Sequence, residues 1–442
     1  EQGGADQPEV LSLLPPGPIA ERITARGVPV HSLGMRRGMV GPKAMLRVRR
    51  LVDRIRPDLI HGWMYHGNLV ASYARFGLGR RVPLVWNVRH SIPDLAKESF
   101  KTRAILRLGA TISAGPEAIV YNAHVSRSQH QAVGYYSGRS VVIANGFDTA
   151  RFAPNPSARD AARAAFGFAP GVLRVACVAR LHPMKDHARL VRAIGRVRNA
   201  GCDVHLVMVG HGLADPPRDL QEAIEANIPS DRITVCGARL DVADWLPGMD
   251  LLAVPSAWGE AFPNVIGEAL ACGVPVVATD VGDSARIVGA QGIVVPPNDT
   301  AALAQAILAF AARPAAERAA MGRAGRERVV RDYALEKIGS AYEELHASCL
   351  DMALYDDHSG EAAIAHHHKI NASQPRKALL CHALGQALCN EFCRLPNPLL
   401  ILGGTKEKPP ALCRHSPMNR AQKSTPVTPR RIGNETRSPP CP

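Results

Sequence analysis

Short apolar runs alternate with longer amphipathic ones along most of this sequence, and this alternation limits the fold to a few classes. From residue 9 to about 155, the runs with strand character are VPVHSLG, DLIHGWM, PLVWNVRH, AIVYNAH and SVVIANG. The segments KAMLRVRRLVDRIRP, NLVASYARFGLG and KTRAILRLGATI lie between strands and have the apolar spacing of helices with basic outer faces. Strands that alternate with helices form parallel sheets covered on both faces.

The same alternation starts again after APNPSARD, a stretch rich in proline and polar residues that we interpret as a linker. Its strand candidates are VLRVACVAR, VHLVMVGHG, ITVCGAR, LLAVPSAW, VPVVATD and QGIVVPP. Its helix candidates are DHARLVRAIGRVRNAG, RDLQEAIEANI, PNVIGEALACG and TAALAQAILAFAA. The predicted fold class is therefore α/β, with two doubly wound Rossmann-like domains that face each other across a cleft.

The pattern also gives domain limits. We predict one Rossmann-like domain over residues 1–154, a second over 155–334, and a helix over 335–350 that packs back toward the first domain. Residues 351–442 lose the periodicity and cluster prolines, so we expect a disordered or aberrant tail without a function. The opening EQGGADQPEV shows neither an initiator methionine nor a strand, so we expect the first domain to be truncated at its start.

Charge and cysteine use narrow the class of partner. The net charge of +14 fits nucleic acid, anionic lipid or a phosphorylated small molecule, and equally a basic background of arginine-rich helices. No zinc-finger or aromatic RNA-binding motif is present, so we expect no nucleic-acid partner. No run of 18 apolar residues or signal peptide is visible, and the ten cysteines match no zinc pattern, which favours a cytoplasmic protein.

The stretch GEAFPNVIGEALACGVPVVATDVG, residues 259–282, predicts a helix whose first turn begins near Pro263 and Asn264. Free N–H groups and the positive end of the helix dipole make such a start suitable for phosphate. The carboxylates of Glu260 and Glu268 suit hydroxyl groups attached to that phosphate, as in a sugar or ribose. The alternative is an ordinary helix whose glutamates face water.

Two further segments end strands at the same predicted edge. In VARLHPMKDH, Arg180 and Lys185 are placed to clamp a diphosphate from the opposite side, although two solvated surface cations would have the same sequence. In VMVGHG, Gly210 and Gly212 allow a close backbone approach to a ligand, or form an ordinary tight turn.

The first domain contributes polar residues at its own strand ends. WNVRHS ends a strand with Arg89 and His90, and HGWMYHGN places His61, Tyr65 and His66 in an equivalent position. Each histidine taken alone is more often structural. The body of the chain has no D-x-D pair, Walker loop, G-x-S-x-G or H-E-x-x-H motif, so no metal-binding carboxylate pair is predicted.

Four of these segments together resemble the retaining glycosyltransferases of family 4, which have the GT-B fold. GEAFPNVIGEALACGVPVVATDVGD is similar to the family's E-x7-E signature, and VARLHPMKDH to its Arg/Lys diphosphate loop. VVIANGFDTARFAP resembles the end of its N-terminal domain. The resemblance runs from near residue 10 to about 348, in the expected order.

The resemblance implies a role for each matching residue. Glu260 and His90 would face the transferred sugar, and Arg180 and Lys185 would hold and stabilise the departing diphosphate. Glu268 would bind the ribose hydroxyls. The remaining donor-binding residues would be Phe262, Pro263, Asn264, Gly210, Gly212, Gly237 and Arg239.

The implied activity is retaining transfer of a hexose-type sugar from a nucleotide-diphospho-sugar to an acceptor hydroxyl, without a metal or other cofactor. The acceptor would be a glycan or lipid-linked precursor of a cell-surface polysaccharide, bound by the first domain. The basic helix around residues 43–56 would then rest on the anionic inner face of the cell membrane, or simply be solvated. Alternatives are a nucleotide-sugar epimerase of the same fold and an inactive fragment that lacks the family's first strand and glycine-rich loop.

Overall fold

The computed structural model describes residues 7–35, 41–78, 81–357 and 399–404. They form two β-sheets, each with helices on both faces. In the central strands of both sheets nearly every residue is buried, as expected where helices cover both faces of a parallel sheet. The two-sheet α/β architecture predicted from the sequence is confirmed.

The first sheet has seven strands in the order β2-β1-β13-β3-β4-β5-β6. These strands are β1 Gln7–Ser12, β2 Val30–Ser32, β3 Leu59–Trp63, β4 Leu84–Val88, β5 Ala118–Tyr121, β6 Ser140–Val142 and β13 Leu399–Gly404. Its helices are α1 Pro18–Thr24, α2 Pro42–Ile55, α3 Met64–Arg75, α4 Phe100–Ile112 and α5 His124–Ala132.

Strand β13 comes from the C-terminal part of the chain and runs antiparallel to both of its neighbours, β1 and β3. The other neighbouring strands of this sheet run parallel to each other. Two predictions are wrong here. The opening segment, predicted to hold no strand, contributes β1 from Gln7, and β13 comes from residues predicted as a disordered tail. The rest of the tail after residue 357 lies outside the described residues.

The second sheet has six parallel strands in the order β12-β11-β10-β7-β8-β9. These are β7 Leu173–Val178, β8 Val204–Val209, β9 Ile233–Cys236, β10 Leu251–Val254, β11 Val276–Thr279 and β12 Ile293–Val295. The strand order reverses between β7 and β10, and ligands of open α/β sheets bind at the carboxyl ends of the strands at such a switch point.

The helices that accompany the second sheet start inside the predicted linker. They are α6 Ala158–Phe166, α7 His187–Asn199, α8 Arg218–Asn227, α9 Val242–Trp245, α10 Asn264–Ala271, α11 Ser284–Val288, α12 Thr300–Ala311 and α13 Ala315–Tyr333. Two apolar clusters lie on opposite faces of this sheet, one of them around Phe147, Phe262 and Tyr333.

The last helix, α14 Leu335–Asp357, continues past the predicted limit at residue 350. It packs on the first sheet, where Leu335, Ile338 and Tyr342 join a cluster with residues of β3, β4 and β5. The chain enters this helix beside Phe147, whose N–H donates to the Tyr333 carbonyl and whose carbonyl accepts from the Leu335 N–H. The connection therefore returns the chain to the first domain.

Candidate functional site

Three loops from adjacent strands meet at the switch point of the second sheet. The loop after β7 is tied to the loop after β10 by the Ala257 N–H, which donates to the Met184 carbonyl at 2.8 Å. The end of β11 is tied to the loop after β10 by the Thr279 hydroxyl, which donates to the Ser256 carbonyl at 2.6 Å. The loop after β11 is tied to it by the Asp283 N–H, which donates to the Ala261 carbonyl at 2.9 Å. Backbone and side-chain hydrogen bonds thus hold all three loops in one arrangement.

Lys185 lies at the end of a single 3-10 turn formed by Pro183–Lys185, immediately before α7. Asp186 then adopts a left-handed conformation with φ of 45° and caps α7 by accepting from the Arg189 N–H. This sharp turn directs the chain so that the Lys185 ammonium reaches the loop after β10. Its side chain is only 17% exposed.

Glu260 is buried, and its Oε1 atom accepts from two donors. The Lys185 ammonium forms a short ion pair with it, and the Ser256 hydroxyl donates at 2.7 Å. The structure therefore brings together the predicted diphosphate cation and the predicted sugar carboxylate. The sequence predicted separate ligands for Lys185 and Glu260, because their contact joins residues 75 apart and depends on loop geometry. The Ser256 contact forms within the loop after β10 and was not predicted.

Helix α10 starts immediately beyond this pair. Pro263 takes the N-cap position rather than the first helical turn, and no side chain caps the helix. The Ile266 N–H donates to the Pro263 carbonyl at 3.1 Å, so the N–H groups of Asn264 and Val265 are the ones placed to meet an anion. Gly267 is required because a Cβ there would lie 2.1 Å from the Phe147 ring. Phe262 stacks on the same ring at 6.1 Å, so the start of α10 rests on a fixed aromatic support.

The other predicted donor-binding residues of this edge fall into two groups. Gly210 follows β8 so closely against the β7 loop that a Cβ would lie 1.9 Å from the Ala179 carbonyl oxygen, and Gly212 has φ of +84°. Both glycines are therefore needed for backbone geometry. Glu268 lies one turn inside α10 and is partly exposed, while Arg180 is exposed.

Gly237 and Arg239 follow β9, at the far side of this edge. The Arg239 guanidinium is bound by the Asp241 carboxylate, with Nε to Oδ1 at 2.9 Å, and lies 5.3 Å from the centre of the Phe166 ring. The hydrogen bonds that Arg239 donates to the Asp241 carboxylate are the main cause of its raised pKa. A structural role accounts for these contacts without a ligand.

In the first domain, His90 follows β4 and is partly exposed, with its Nε2 atom 3.7 Å from a Glu98 oxygen. Burial lowers the pKa of His90, and the Glu98 carboxylate offsets part of this shift. His61 lies elsewhere than the sequence placed it. It is in the middle of β3, buried against His346 of α14 at 3.1 Å, while Tyr65 is buried in α3.

Polar side chains of the first domain also reach α10. The Asn145 amide donates to the Asn264 side-chain oxygen at 2.5 Å, and the Asn145 oxygen accepts from the Arg89 guanidinium. Arg89 lies 5.0 Å from the Trp63 ring centre and also donates to the Tyr342 hydroxyl. The sequence named Arg89 as a strand-end residue, but nothing in the spacing indicated that it would support the start of α10.

A cavity of about 680 Å³ lies at the opposite edge of the second sheet, near the amino ends of β7, β8 and β10. Its wall includes the Arg174 and Asp250 side chains, which form a bidentate pair and satisfy each other. Among the described residues, no group of three or more histidine, cysteine, aspartate or glutamate side chains is arranged to hold a metal ion. No described helix is both long and apolar enough to cross a bilayer.

Residues 173–313 match the family described as Glycosyl transferases group 1. Residues 4–146 match the family described as Glycosyl transferase 4-like domain. Together the two matches cover more than half of the chain and follow its two sheets. The chain belongs to the family 4 glycosyltransferases.

The curated relatives of this family 4 glycosyltransferase have names that differ in the substrate they give. This chain is 30% identical over 274 residues to the D-inositol 3-phosphate glycosyltransferase of Rhodococcus erythropolis, and the match covers 58% of this chain and 60% of that protein. It is 30% identical over 227 residues to the lipopolysaccharide core biosynthesis mannosyltransferase LpsB of Rhizobium meliloti, covering 49% and 64%. The chain thus spans somewhat less than two thirds of these relatives.

The same fold is found in solved structures. HepE of Anabaena, in complex with UDP, aligns with a TM-score of 0.67 and 24% sequence identity, covering 76% of this chain and 92% of HepE. WaaG, a glycosyltransferase involved in lipopolysaccharide biosynthesis, aligns with a TM-score of 0.54 at 17% identity, covering 73% and 94%. These likenesses establish the GT-B architecture of this family 4 glycosyltransferase.

Proposed function

We propose that this glycosyltransferase moves a hexose-type sugar, with retention of its anomeric configuration, from a nucleotide-diphospho-sugar to an acceptor hydroxyl. The observation that carries the proposal is the contact of Lys185 with Glu260 beside the uncapped start of α10. One small volume thus offers a cation, a hydrogen-bond-accepting carboxylate and backbone N–H groups. A sugar diphosphate presents the complementary groups, namely phosphate oxygens next to sugar hydroxyls.

The proposed chemistry is electrostatic. As the bond between the sugar and the diphosphate breaks, negative charge develops on the phosphate oxygen. Lys185, the exposed Arg180 and the N–H groups of α10 are preorganised donors for that charge. The acceptor hydroxyl would attack on the same face and pass its proton to the departing phosphate, which accounts for retention.

In this proposal the carboxylates bind hydroxyl groups of the donor. Glu260 would exchange part of its contact with Lys185 for a sugar hydroxyl, and Glu268 would accept hydrogen bonds from the ribose diol. His90 would face the sugar from the first domain. Because its pKa is lowered, His90 is neutral near pH 7 and can accept or donate a hydrogen bond without repelling a developing positive charge on the sugar.

We further propose that the reaction needs no metal ion, because the three kinds of donor named above take the place of a divalent cation at the diphosphate. An enzyme treated with EDTA and assayed without divalent cations should retain its turnover. A strict requirement for Mg²⁺ or Mn²⁺ would contradict this part of the proposal and leave the transfer itself standing.

The deciding experiment is a thermal-shift screen of nucleotide sugars, followed by determination of the product's anomeric configuration. HepE was crystallised with UDP and with UDP-glucose, so uridine nucleotides are the first probes. We expect one donor to raise the melting temperature, and its sugar to appear on an acceptor with the donor's configuration. An inverted product, or a free epimerised sugar formed without acceptor, would overturn the proposal. Binding without turnover would favour an inactive binding protein.

We propose a glycan or lipid-linked precursor as the acceptor, presented at the inner face of the cell membrane. On α2, Lys43, Arg47, Arg50 and Arg54 are exposed beside Leu46, which is 50% exposed. Cations on an amphipathic helix attract anionic headgroups, at about 1 kcal/mol for each basic residue near the surface. A solvated helix face is the alternative.

Co-sedimentation with phosphatidylglycerol vesicles tests this surface. Replacing Arg50 and Arg54 by alanine should weaken binding about thirtyfold at low salt, at about 1 kcal/mol for each cation. The matched control replaces Arg192 and Arg196, which are exposed with the same spacing on α7 of the second domain. Equal losses in the two variants, or no binding by the native chain, would remove the membrane surface from the proposal.

A further inference from the structure

Asp283 is a buried carboxylate that joins the two domains. It follows β11 in the second domain, yet its side chain lies at the start of α5 in the first. Its Oδ2 atom accepts from the His124 N–H at 2.8 Å, and its Oδ1 atom accepts from the Val125 N–H at 3.1 Å. A carboxylate at a helix N-terminus satisfies otherwise unpaired N–H groups and interacts favourably with the helix dipole.

The backbone of the same residue holds the loop that carries Glu260. The Asp283 N–H donates to the Ala261 carbonyl at 2.9 Å. The preceding Gly282 lies so close that a Cβ there would be 2.5 Å from the Glu260 carbonyl oxygen. One side of Asp283 is therefore fixed to the donor-site loop, and the other side to α5.

Helix α5 in turn holds the strand end that carries His90. The Ser126 hydroxyl, in the first turn of α5, donates to the His90 carbonyl at 2.6 Å. The hydrogen bonds run from Ala261 through Asp283 and the first turn of α5 to the backbone of His90. They connect the proposed sugar-binding carboxylate to the proposed sugar-facing histidine on the other side of the cleft.

We infer that Asp283 is a positioning residue that sets His90 against Glu260, so that both sides of the cleft contact the same sugar. The inference rests on the proposed function for its kinetic consequence, but not for its geometry. Arg286 lies 3.9 Å from the same carboxylate and adds a weak ion pair from within the second domain. Because Asp283 makes no proposed contact with the nucleotide, its loss should affect transfer more than donor binding.

The test compares Asp283→Ala with Asp299→Ala in the full chain. Asp299 caps α12 by accepting from the Ala302 N–H at 2.8 Å, so it is a matched helix cap that stays within the second domain. In Asp283→Ala we expect faster hydrogen exchange at the amides of His124 and Val125 and about a tenfold lower kcat. Nucleotide Kd should stay within about twofold of the native value, as should kcat in Asp299→Ala.

Asp283→Asn keeps one accepting oxygen and should give an intermediate kcat, which a general loss of stability would not produce. Unchanged exchange at His124 and Val125, or a kcat within twofold of native in Asp283→Ala, would overturn the inference. If the native chain transfers no sugar, the proposed function fails separately. Solution scattering then decides on Asp283: a larger radius of gyration in Asp283→Ala supports the inference, and an unchanged radius contradicts it.

Discussion

The two domains present different chemistry at equivalent edges. At the carboxyl edge of the second sheet, charged groups meet each other, with Lys185 paired to Glu260 beside the N–H groups of α10. At the first sheet, the strand ends carry His90 with a lowered pKa, and Arg89 is engaged by Asn145 and Tyr342. One edge thus carries a buried pair of opposite charges, and at the other edge the arginine is held by polar neutral side chains.

The domains also differ in how their sheets are completed. The second sheet is built from one continuous stretch, with six parallel strands between Leu173 and Val295. The first sheet draws β13 from Leu399–Gly404 and receives α14 on one face, so it depends on distant parts of the chain. The second domain should therefore keep its structure, and its charged site, under conditions that disturb the first.

The largest effect is expected at the charged pair. Lys185→Ala removes the proposed diphosphate donor and should lower kcat by about 10²–10³-fold, the usual cost of losing one preorganised charge-stabilising group. It also leaves the Glu260 carboxylate without its cation, so unfolding should become easier by about 3 kcal/mol. Steady-state kinetics and urea denaturation measure the two effects.

The double variant Lys185→Met with Glu260→Gln separates catalysis from folding. Removing both charges abolishes the uncompensated carboxylate, so stability should return toward the native value while activity stays low. Recovery of activity together with stability would mean that the pair is structural. It would also remove the contrast between the two edges.

Acid should affect the first domain before the second. Burial lowers the pKa of His130 and His346 to about 4, and His61 is lowered as well. A lowered folded-state pKa means that the stabilising contribution is complete above the unfolded value near 6.5. It is lost as the pH falls from 6.5 toward 4, because the unfolded state binds protons first.

Each of the two histidines with a pKa of about 4 should lower the free energy of unfolding by about 2 kcal/mol when the pH reaches 5. The three buried histidines just named pack on or beside the first sheet. In the described part of the second domain two histidines, His187 and His205, are buried with lowered pKa values. If hydrogen exchange is followed between pH 7 and pH 5, the amides of β3 should lose their protection at a higher pH than those of β8. His346→Phe removes one of these histidines and should bring the pH at which β3 loses protection closer to that of β8. Simultaneous loss at both strands would contradict this contrast between the domains.

A smaller effect is expected on donor binding from Glu268→Ala. If the carboxylate grips the ribose diol, the Kd for the nucleotide with the largest thermal shift should rise about tenfold. The matched control is Glu225→Ala on α8, an exposed glutamate of a helix in the same domain. Calorimetric titration of both variants measures the difference, and equal affinities would defeat the role given to Glu268.

The alternation of apolar and amphipathic runs was enough to predict both sheets, because each strand buried on two faces is a continuous apolar run bounded by turns. It missed β1 and β13. The segment QPEVLS of β1 begins with polar residues. LLILGG of β13 lies between prolines, and no segment with helical periodicity stands beside it in the sequence. Pairing with distant strands, rather than local periodicity, accounts for both.

For the candidate site, residue type and position at a strand end identified Lys185, Glu260 and α10. The contacts around them could not be predicted. Asn145 and Asp283 reach the site through the packing of segments from separate strands, and Ser256 reaches Glu260 through the conformation of the loop that they share. Sequence reasoning also placed His61 at the strand end, although the following helix begins at Met64 and leaves His61 within β3. His61 lies inside β3 because the strand continues to Trp63 and α3 starts only at Met64.

The smallest effect is expected at Arg239, the residue whose site role rests on resemblance alone. Its guanidinium is held by Asp241 and lies over Phe166, so it has little freedom to move toward a nucleotide base. Arg239→Ala should therefore change the nucleotide Kd by no more than about threefold, while a partly exposed ion pair of this kind contributes about 1 kcal/mol or less to stability. Calorimetric titration and urea denaturation check both values. A tenfold loss of affinity with unchanged stability would show that Arg239 leaves Asp241 when the donor binds, and would extend the charged edge of the second domain as far as β9.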